Sequence, residues 1–308
     1  MSIDAIKNNL KIVSRPYSYL SRCLGYSRTV QSVKKSFQKR MGYPLDIDNP
    51  QTFSEKLQWL KLNYSDECLV AYSDKLAFKD HITEMGLDHY KIKTFDSASS
   101  FNGINWETLP KSFVLKTNHD SGSVWLVHDK NAANTELLEK KVDTSLKSTF
   151  GLKTFEYNYQ KIYPRVFAEE MLYDCDLKDF KFFCFNGKPH YIQVDFDRAT
   201  NHTRNFYNTR WERLNFSTSG YKISDRVIER PDHLDEMLEV SEIIASTLPF
   251  LRVDLYYVNK KIYIGEATFF PSAGWGKFSE SSWDLKLGNL LKLPENLKNY
   301  EPGKRVYE

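Results

Sequence analysis

Two carboxylates and a guanidinium stand close together in "RVDLYYVNKKIYIGEATFFPSAG", residues 252–274, among aromatic and β-branched neighbours. Both halves of the stretch alternate apolar and polar positions, which predicts two antiparallel strands joined at "VNKK". With a three-residue loop, Asn259 to Lys261, Val258 pairs with Ile262. Asp254 then lies directly opposite Glu266, and Arg252 opposite Thr268. Opposed Cβ atoms are roughly 4.5–5.5 Å apart, and like charges at that range are destabilising. A divalent cation held by both acids would remove the repulsion. A two-residue loop would instead turn the acids to opposite faces, because a one-residue slip flips every side chain. A metal site and a solvent-facing hairpin with incidental charges therefore both remain open on this segment alone.

Other stretches offer chemistry of a compatible kind. In "FVLKTNHDSGSVWLV", Lys116 at a strand end precedes the small polar loop His119, Asp120, Ser121, Gly122 and Ser123. A cation and free backbone N–H groups aimed at one point suit a polyphosphate, although any hairpin with a polar loop reads the same way. "AEEML" (Glu169, Glu170, Leu172) offers a strand backbone that could hydrogen-bond an adenine edge. In "DLKDFKFF", Asp179 and Lys181 share one strand face, where an ion pair is the plain explanation. "DRATNHTRNFYNTRW" carries Arg198, His202, Arg204 and Arg210. Arginines there could hold a carboxylate bidentately, or be solvated loop charge. Trp275 and Trp283 could stack on a sugar ring or be buried. No Ser–His–Asp or Cys–His arrangement stands out.

The elements that must position these residues are legible in part. "NPQTFSEKLQWLKLN" opens with a capping box, Thr52 with Glu55, and continues as an amphipathic helix. "SDKLAFKDHITEMG" predicts a second helix, ended by Gly86. "KSFVLKTNHDSGSVWLVHD" reads as strand, loop, strand; "NTELLEKKVDTSLKSTFG" as helix; "RVFAEEML" as strand. "KFFCFNGKPHYIQVDF" is a hairpin about Asn186–Gly187, and "PDHLDEMLEVSEIIASTLPF" a helix between Pro231 and Pro249. Helices and antiparallel hairpins alternate in blocks, which predicts an α+β fold over a doubly wound parallel sheet.

The chain as a whole narrows the classes. Its 308 residues can bury one large core or several joined lobes, and 15% of them are aromatic. Cys23, Cys68, Cys175 and Cys184 form no CxxC pair or zinc spacing, so reduced thiols and a cytoplasmic setting are expected. There is no run of 18 apolar residues, and "MSIDAIKNNLKIVSRP" lacks the apolar core of a signal peptide. Residues 1–41 hold nine Lys/Arg against Asp4 alone, a net +8, whereas the whole chain is +3. A basic lead-in before an acidic body reads as contact with an anionic membrane or polymer, or as a solvated helix. The body has no basic stripe or module that would bind nucleic acid.

Taken in order, "NPQTFSEKLQWLK", "DKLAFK", "FVLKTNHDSGS", "DFKFFCFNGK" and "RVDLYYVNKKIYIGEATFFPSAG" resemble the ATP-grasp superfamily. In particular they resemble the branch named for the teichuronopeptide biosynthesis protein TupA, from about residue 40 to 292. The resemblance implies an ATP-grasp fold, two α+β lobes sandwiching ATP, preceded by a helical N-terminal region. The segments expected are a basic arm (1–40), a helical region (41–110), a first lobe (111–165), a second lobe with the nucleotide and metal site (166–292) and a tail (293–308). It implies that Lys75 and Lys116 contact the phosphates, that His119, Ser121, Gly122 and Ser123 close over them, and that Glu169, Glu170 and Leu172 line the adenine pocket, with Asp179 at the ribose. Asp254 and Glu266 would hold Mg²⁺, with Thr268 as a further ligand where relatives carry Asn. Arg252 and Lys181 would be the catalytic pair, and Arg198, Arg204 and Trp275 are the candidates for the acceptor pocket. The activity implied is a carboxylate–amine ligase acting through an acyl phosphate, joining an amino acid or peptide amine to a uronic acid in a cell-surface glycan. A glycosyltransferase, with "YDCD" (Asp174, Asp176) as its foothold, and a non-catalytic nucleotide-binding scaffold are the rival readings.

Overall fold

The structure, a computed structural model, describes residues 19–64, 67–173, 178–197 and 201–294. It opens with a long helix, α1 (Tyr19–Met41), that is not a detached arm. Val33, Phe37 and Met41 on one side of α1 are buried with Leu45, Ile47 and Leu62. Residues 1–18 of the expected arm and residues 295–308 of the expected tail lie outside the described residues. α2 (Phe53–Asn63) begins with the capping box read from the sequence: Glu55 N donates to Thr52 Oγ1 at 3.2 Å, and Thr52 N to Glu55 Oε2 at 2.9 Å. α3 (Glu67–Ser73) follows, and then α4 (Lys75–Glu84), whose first turn donates to Asp74 Oδ1.

A small antiparallel sheet comes next, with strands β1 (Thr94–Ala98), β2 (Phe113–Thr117), β3 (Val124–Val127) and β4 (Val166–Glu169) in the order β1-β4-β2-β3. α5 (Thr135–Leu146) covers it, and Phe113, Leu115, Val127, Val142 and Val166 form its core. Two of these strands fall outside the segment 111–165 expected for this lobe. "TFDSA" lacks an apolar face of its own and becomes β1 by pairing with β4. β4 in turn bonds to both β1 and β2, so the boundary between the lobes falls after Glu169.

The larger lobe is built on β5 (Lys178–Phe185), β6 (Lys188–Phe196), β7 (Thr203–Asn208), β8 (Arg213–Leu214), β9 (Lys222–Ile223), β10 (Phe250–Val258) and β11 (Lys261–Thr268). The order is β11-β10-β5-β6-β7-β8, with β9 parallel to β7. Strand alternation divides its two faces. Phe180, Phe182, Ile192, Val194, Leu251, Val253 and Leu255 pack with Met237, Val240 and Ile244 of α6 (Leu234–Ala245). Each such side chain contributes about 1.5–3 kcal/mol when fully buried. The opposite face carries Asp179, Lys181, Gln193, Asp195, Arg204, Arg252 and Asp254. Cross-strand register aligns Asp254 with Lys181 and Gln193, and Asp179 with Asp195 and Arg204. The Asn186–Gly187 turn has positive φ at both residues, as a two-residue hairpin requires. A Cβ at Gly187 would lie 2.7 Å from Ser246 O. α7 (Ser281–Leu290) closes the described chain against α2.

The β10–β11 hairpin departs from the three-residue loop and still reaches the same pairing. Val258 pairs with Lys261, leaving Asn259 and Lys260 as a two-residue turn with φ of 50° and 63°. That parity alone would separate the acids. The register shifts between Asp254 and Leu255, where Gly265 is the extra residue of a β-bulge. Beyond it, Asp254 opposes Glu266 and Arg252 opposes Thr268. Glycine suits the bulge, since a Cβ there would lie 2.9 Å from Tyr256 Cε2 and 3.1 Å from Asp254 O and would push the Tyr256 ring aside.

Candidate active site

The centre of the polar face is a network of ion pairs. Arg252 grips Asp254 with both ends of its fork, Nε to Oδ1 at 2.6 Å and Nη2 to Oδ2 at 2.7 Å. Lys181 bridges Asp254 and Asp179. Arg252 Nη2 also donates to Thr268 Oγ1 at 3.1 Å and stands 3.5 Å from Glu266 Oε1. Burial alone would raise the pKa of Asp254, but Arg252 and Lys181 outweigh it and hold the carboxyl below its usual range. Burial alone would lower that of Lys181, but Asp179 and Asp254 hold its ammonium above the ordinary value. Lys181 is therefore a fixed cation that positions the acids. Glu266 differs from Asp254: its side chain is 41% exposed.

Across from this face, the small lobe presents lysines about Glu169. Lys116 pairs with Glu169 Oε1, and Lys79 Nζ lies 3.0 Å from Oε2. Burial opposes ionisation of Glu169, yet the two lysines keep its pKa low. Lys79 was not among the residues read from the sequence. Lys75 lines a cavity together with Glu266 and Thr268, and it also donates to the carbonyls of Thr117 and Asp120, stapling the β2–β3 loop to the start of α4. Lys79 stands one helical turn on, a spacing of four that the motif already contains, and besides pairing with Glu169 it donates to Ile92 O at 2.7 Å.

The loop itself is only partly open. His119 is buried, with Nε2 3.2 Å from Ser145 O, because Asp120 and Ser123 tie the turn inward; burial pushes its pKa down. Ser121 and Gly122 form the exposed tip. On β4 and beyond, Glu170 is exposed and its N–H is bonded to Lys93 O, while Leu172 is half-buried. Tyr256 is a second residue missed in the sequence. Its hydroxyl pKa is raised far above normal by burial and then by Asp179, Glu266, Asp254 and Glu169, which places it between acids of both lobes. Its position two residues beyond Asp254 on the same strand face was the available signal.

Two cavities meet at the network. One of about 320 Å³ is lined by Lys181, Gln193, Asp195, His202, Arg204 and Tyr221. The other, of about 290 Å³, is lined by Lys75, Tyr72, Phe150, Tyr159, Glu156 and Thr268. Ser121, Arg252, Glu266 and Ser272 border both. In the first, Gln193 Nε2 donates to both oxygens of Asp195, at 3.0 and 3.1 Å. Arg204 Nε and His202 Nε2 lie 3.1 and 3.2 Å from Asp195 Oδ1, as ion-pair contacts off the hydrogen-bond axis. Arg204 also donates to Thr218 Oγ1 at 2.8 Å and lies over the ring of Tyr221. Arg204 thus lines a cavity, whereas Arg198 lies outside the described residues, as do Asp174 and Asp176.

Trp275 lines neither cavity. It packs beside Phe37 of α1 with Lys61 Nζ 4.3 Å from its ring centre, since the turn before it directs the ring toward α1. Ser272 and Ala273 in that turn have φ of 50° and 54°, a strained conformation for non-glycine residues. Gln58 Nε2 to Gly274 O at 3.0 Å and Lys61 Nζ to Ala273 O hold the turn at the cavity rim. Burial brings the Lys61 pKa down to about 7, against the pull of Glu156.

Among the described residues no three His, Cys, Asp or Glu groups cluster as a metal cage. Of the expected pair, Asp254 lines neither cavity and has both oxygens bonded to Arg252 and Lys181, so Glu266 is the acid open to Mg²⁺, an ion that needs only one or two carboxylates where phosphate oxygens complete its shell. Exposed Glu266 borders both cavities, and Thr268 adds a hydroxyl to the second. On the opposite wall Lys75 and Ser121 border the second cavity and are the groups that could donate to a triphosphate, with Lys79 and Lys116 behind them on Glu169.

Two lobes facing each other across a cleft, with cations on one side and paired acids on the other, define an ATP-grasp fold. The model for TupA-like ATP-grasp proteins matches residues 55–292, and the chain belongs to that family. Solved structures similar to it include D-alanine–D-alanine ligase from Bacillus anthracis, at 19% identity and TM-score 0.41, covering 70% of this chain and 63% of that one. The N5-carboxyaminoimidazole synthase from Aspergillus clavatus is similar at 10% identity and TM-score 0.43, over 77% of this chain and 54% of that one. An ATP-grasp RimK domain protein from Sphaerobacter thermophilus is similar at 14% identity and TM-score 0.42, over 72% and 66% respectively. This chain thus spans less than two thirds of the first structure's length. No curated protein matches the sequence. Among the described residues, no helix is long and apolar enough to cross a membrane.

Proposed function

We propose that this protein is an ATP- and Mg²⁺-dependent carboxylate–amine ligase that joins an amino acid or peptide amine to the carboxylate of a uronic acid in a surface glycan or its precursor. The observation that carries the reading is the meeting of two cavities at Arg252 and Glu266, one compartment for each partner of a condensation. Phosphorylation of the carboxylate gives an acyl phosphate. The amine then attacks its carbonyl, and phosphate leaves as the amide forms. Glu266, beside Asp254, would hold Mg²⁺, which would neutralise charge on the phosphoryl group. Nε and Nη2 of Arg252 are committed to Asp254 and Thr268, which leaves Nη1 to meet the oxyanion of the tetrahedral intermediate. One such donor is worth about 2.7–4 kcal/mol. Arg204, fixed by Asp195 and Thr218, keeps Nη2 for a substrate carboxylate.

The test is incubation with ATP, Mg²⁺, a panel of uronic acids and a panel of amino acids, with hydroxylamine as a trap for acyl phosphate. ADP and phosphate release that depends on a uronic acid, with hydroxamate formed, supports the ligase. Sugar-nucleotide consumption without ATP turnover would instead mark a glycosyltransferase, and no turnover of either a binding scaffold.

A further inference from the structure

The outward side of α1 has a composition that packing does not explain. At 100° per residue, Val33, Phe37 and Met41 fall on one pole of the helix, and these are the buried residues. Arg28, Lys35 and Lys39 fall on the opposite pole, and all three are exposed. α1 contains no Asp or Glu, so nothing on the helix compensates them. Lys34, off this line, stands 3.9 Å from Asp48 and is, among the described residues, the one lysine of α1 for which a salt bridge is found. The three outward cations lie along one straight line, so a planar anionic surface can touch all of them at once. The sequence before the helix adds Lys7, Lys11 and Arg15 with Asp4 as the only acid.

We propose that this pole of α1 docks the protein on an anionic lipid surface. Between Arg28 and Lys39 the outward line bears no large apolar side chain, so attachment there is electrostatic and reversible. Each basic residue near an anionic bilayer contributes about a fivefold gain in partitioning, equivalent to about 1 kcal/mol, so the three together give about a hundredfold. The inward pole of the same helix rests on Trp275, beside the strained turn at the cavity rim, with Arg40 over the indole ring. Docking through α1 therefore holds the acceptor site at a fixed position relative to the surface.

The test uses the full chain and vesicles of neutral lipid with about one third phosphatidylglycerol, at low ionic strength. The triple variant Arg28→Glu, Lys35→Glu, Lys39→Glu is compared with the control Lys141→Glu, Lys147→Glu, Lys153→Glu, which makes the same charge change at exposed lysines elsewhere. The wild type and the control are expected to cosediment with the vesicles, and the α1 variant to lose at least about a hundredfold in partitioning with an unchanged melting temperature. Binding by the wild type should fade as salt shortens the Debye length from about 30 Å to below 10 Å. Equal loss in both variants would overturn the proposal, because net charge alone would then account for binding. So would wild-type protein that ignores the vesicles but binds polygalacturonate through the same residues, which would make the partner a glycan. None of these outcomes depends on the ligase reading.

Discussion

Asp254 and Glu266 face each other as a pair, yet they should respond differently to loss of charge. Asp254→Asn leaves Arg252 and Lys181 buried with only Asp179 between them. Breaking a buried ion pair from one side costs about 3–5 kcal/mol. For 308 residues at about 2.1 cal/mol/K each, the unfolding entropy is about 0.65 kcal/mol/K, so the melting temperature should fall by roughly 5–8 °C. Glu266→Gln removes an acid that is 41% exposed and 3.5 Å from its nearest cation, worth less than about 1 kcal/mol. It should melt within about 2 °C of wild type. The Asp254 effect has a sign in pH as well. Its folded pKa lies below the unfolded one, so its contribution is present above about pH 4 and is lost as pH falls further. Glu266→Gln should lose Mg²⁺-dependent tightening of ATP binding by calorimetry. Equal melting of the two variants would refute the network as drawn. Undiminished Mg²⁺ dependence in Glu266→Gln would refute the metal assignment.

Three further outcomes follow from the geometry. Lys79→Met and Lys75→Met should both lower the melting temperature, the first because it leaves buried Glu169 with Lys116 alone and Ile92 O without its donor, the second because it frees the carbonyls of Thr117 and Asp120. Lys75→Met, at the cavity wall, should also weaken ATP binding, and an unchanged affinity by calorimetry would count against that role. Asp195→Asn should destabilise the protein at pH 7, where Arg204, Lys181 and His202 hold its pKa down against burial; melts at falling pH should show the gap to wild type closing below about pH 4. Gly265→Ala should cost about 1–3 kcal/mol in urea unfolding and shift Tyr256, since the new methyl meets its ring; an unchanged midpoint would show that the bulge is slack.

Elements closed by local contacts were legible in the sequence, and those closed by distant ones were not. The Thr52–Glu55 box, the Asn186–Gly187 turn and the stop at Gly86 each depend on neighbours a few residues away. β1 and β7 do not. Within β7, Arg204 and Asn205 are both buried, and adjacent polar residues of this kind read as loop. Their partners are Asp195, Thr218 and the backbone of Ser224 and Arg226, none of them local. The acid pair was found through a loop length that proved wrong, because a two-residue turn and one bulge have the same parity as a three-residue loop. Alternation alone cannot separate those two solutions. Gly265, a glycine inside a strand pattern, was the mark of the bulge.

The charge balance of the two walls gives the cleft its direction. On the large sheet, Asp179, Asp195 and Asp254 are matched by Lys181, Arg204 and Arg252, so that buried network is neutral as it stands. Neutrality is what permits so many charges to share one desolvated face. Glu266 is the acid left over, and it is also the exposed one. On the small lobe the imbalance is reversed, with Lys79 and Lys116 sharing the single carboxylate of Glu169. An unmatched negative charge on one wall and an unmatched positive charge on the other are what a metal–polyphosphate complex would fill, phosphates toward the lysines and cation toward Glu266. A free phosphate without metal would meet only half of that pattern. ATP should therefore bind more tightly with Mg²⁺ than without it, and Glu266→Gln should erase the difference while leaving the metal-free affinity intact.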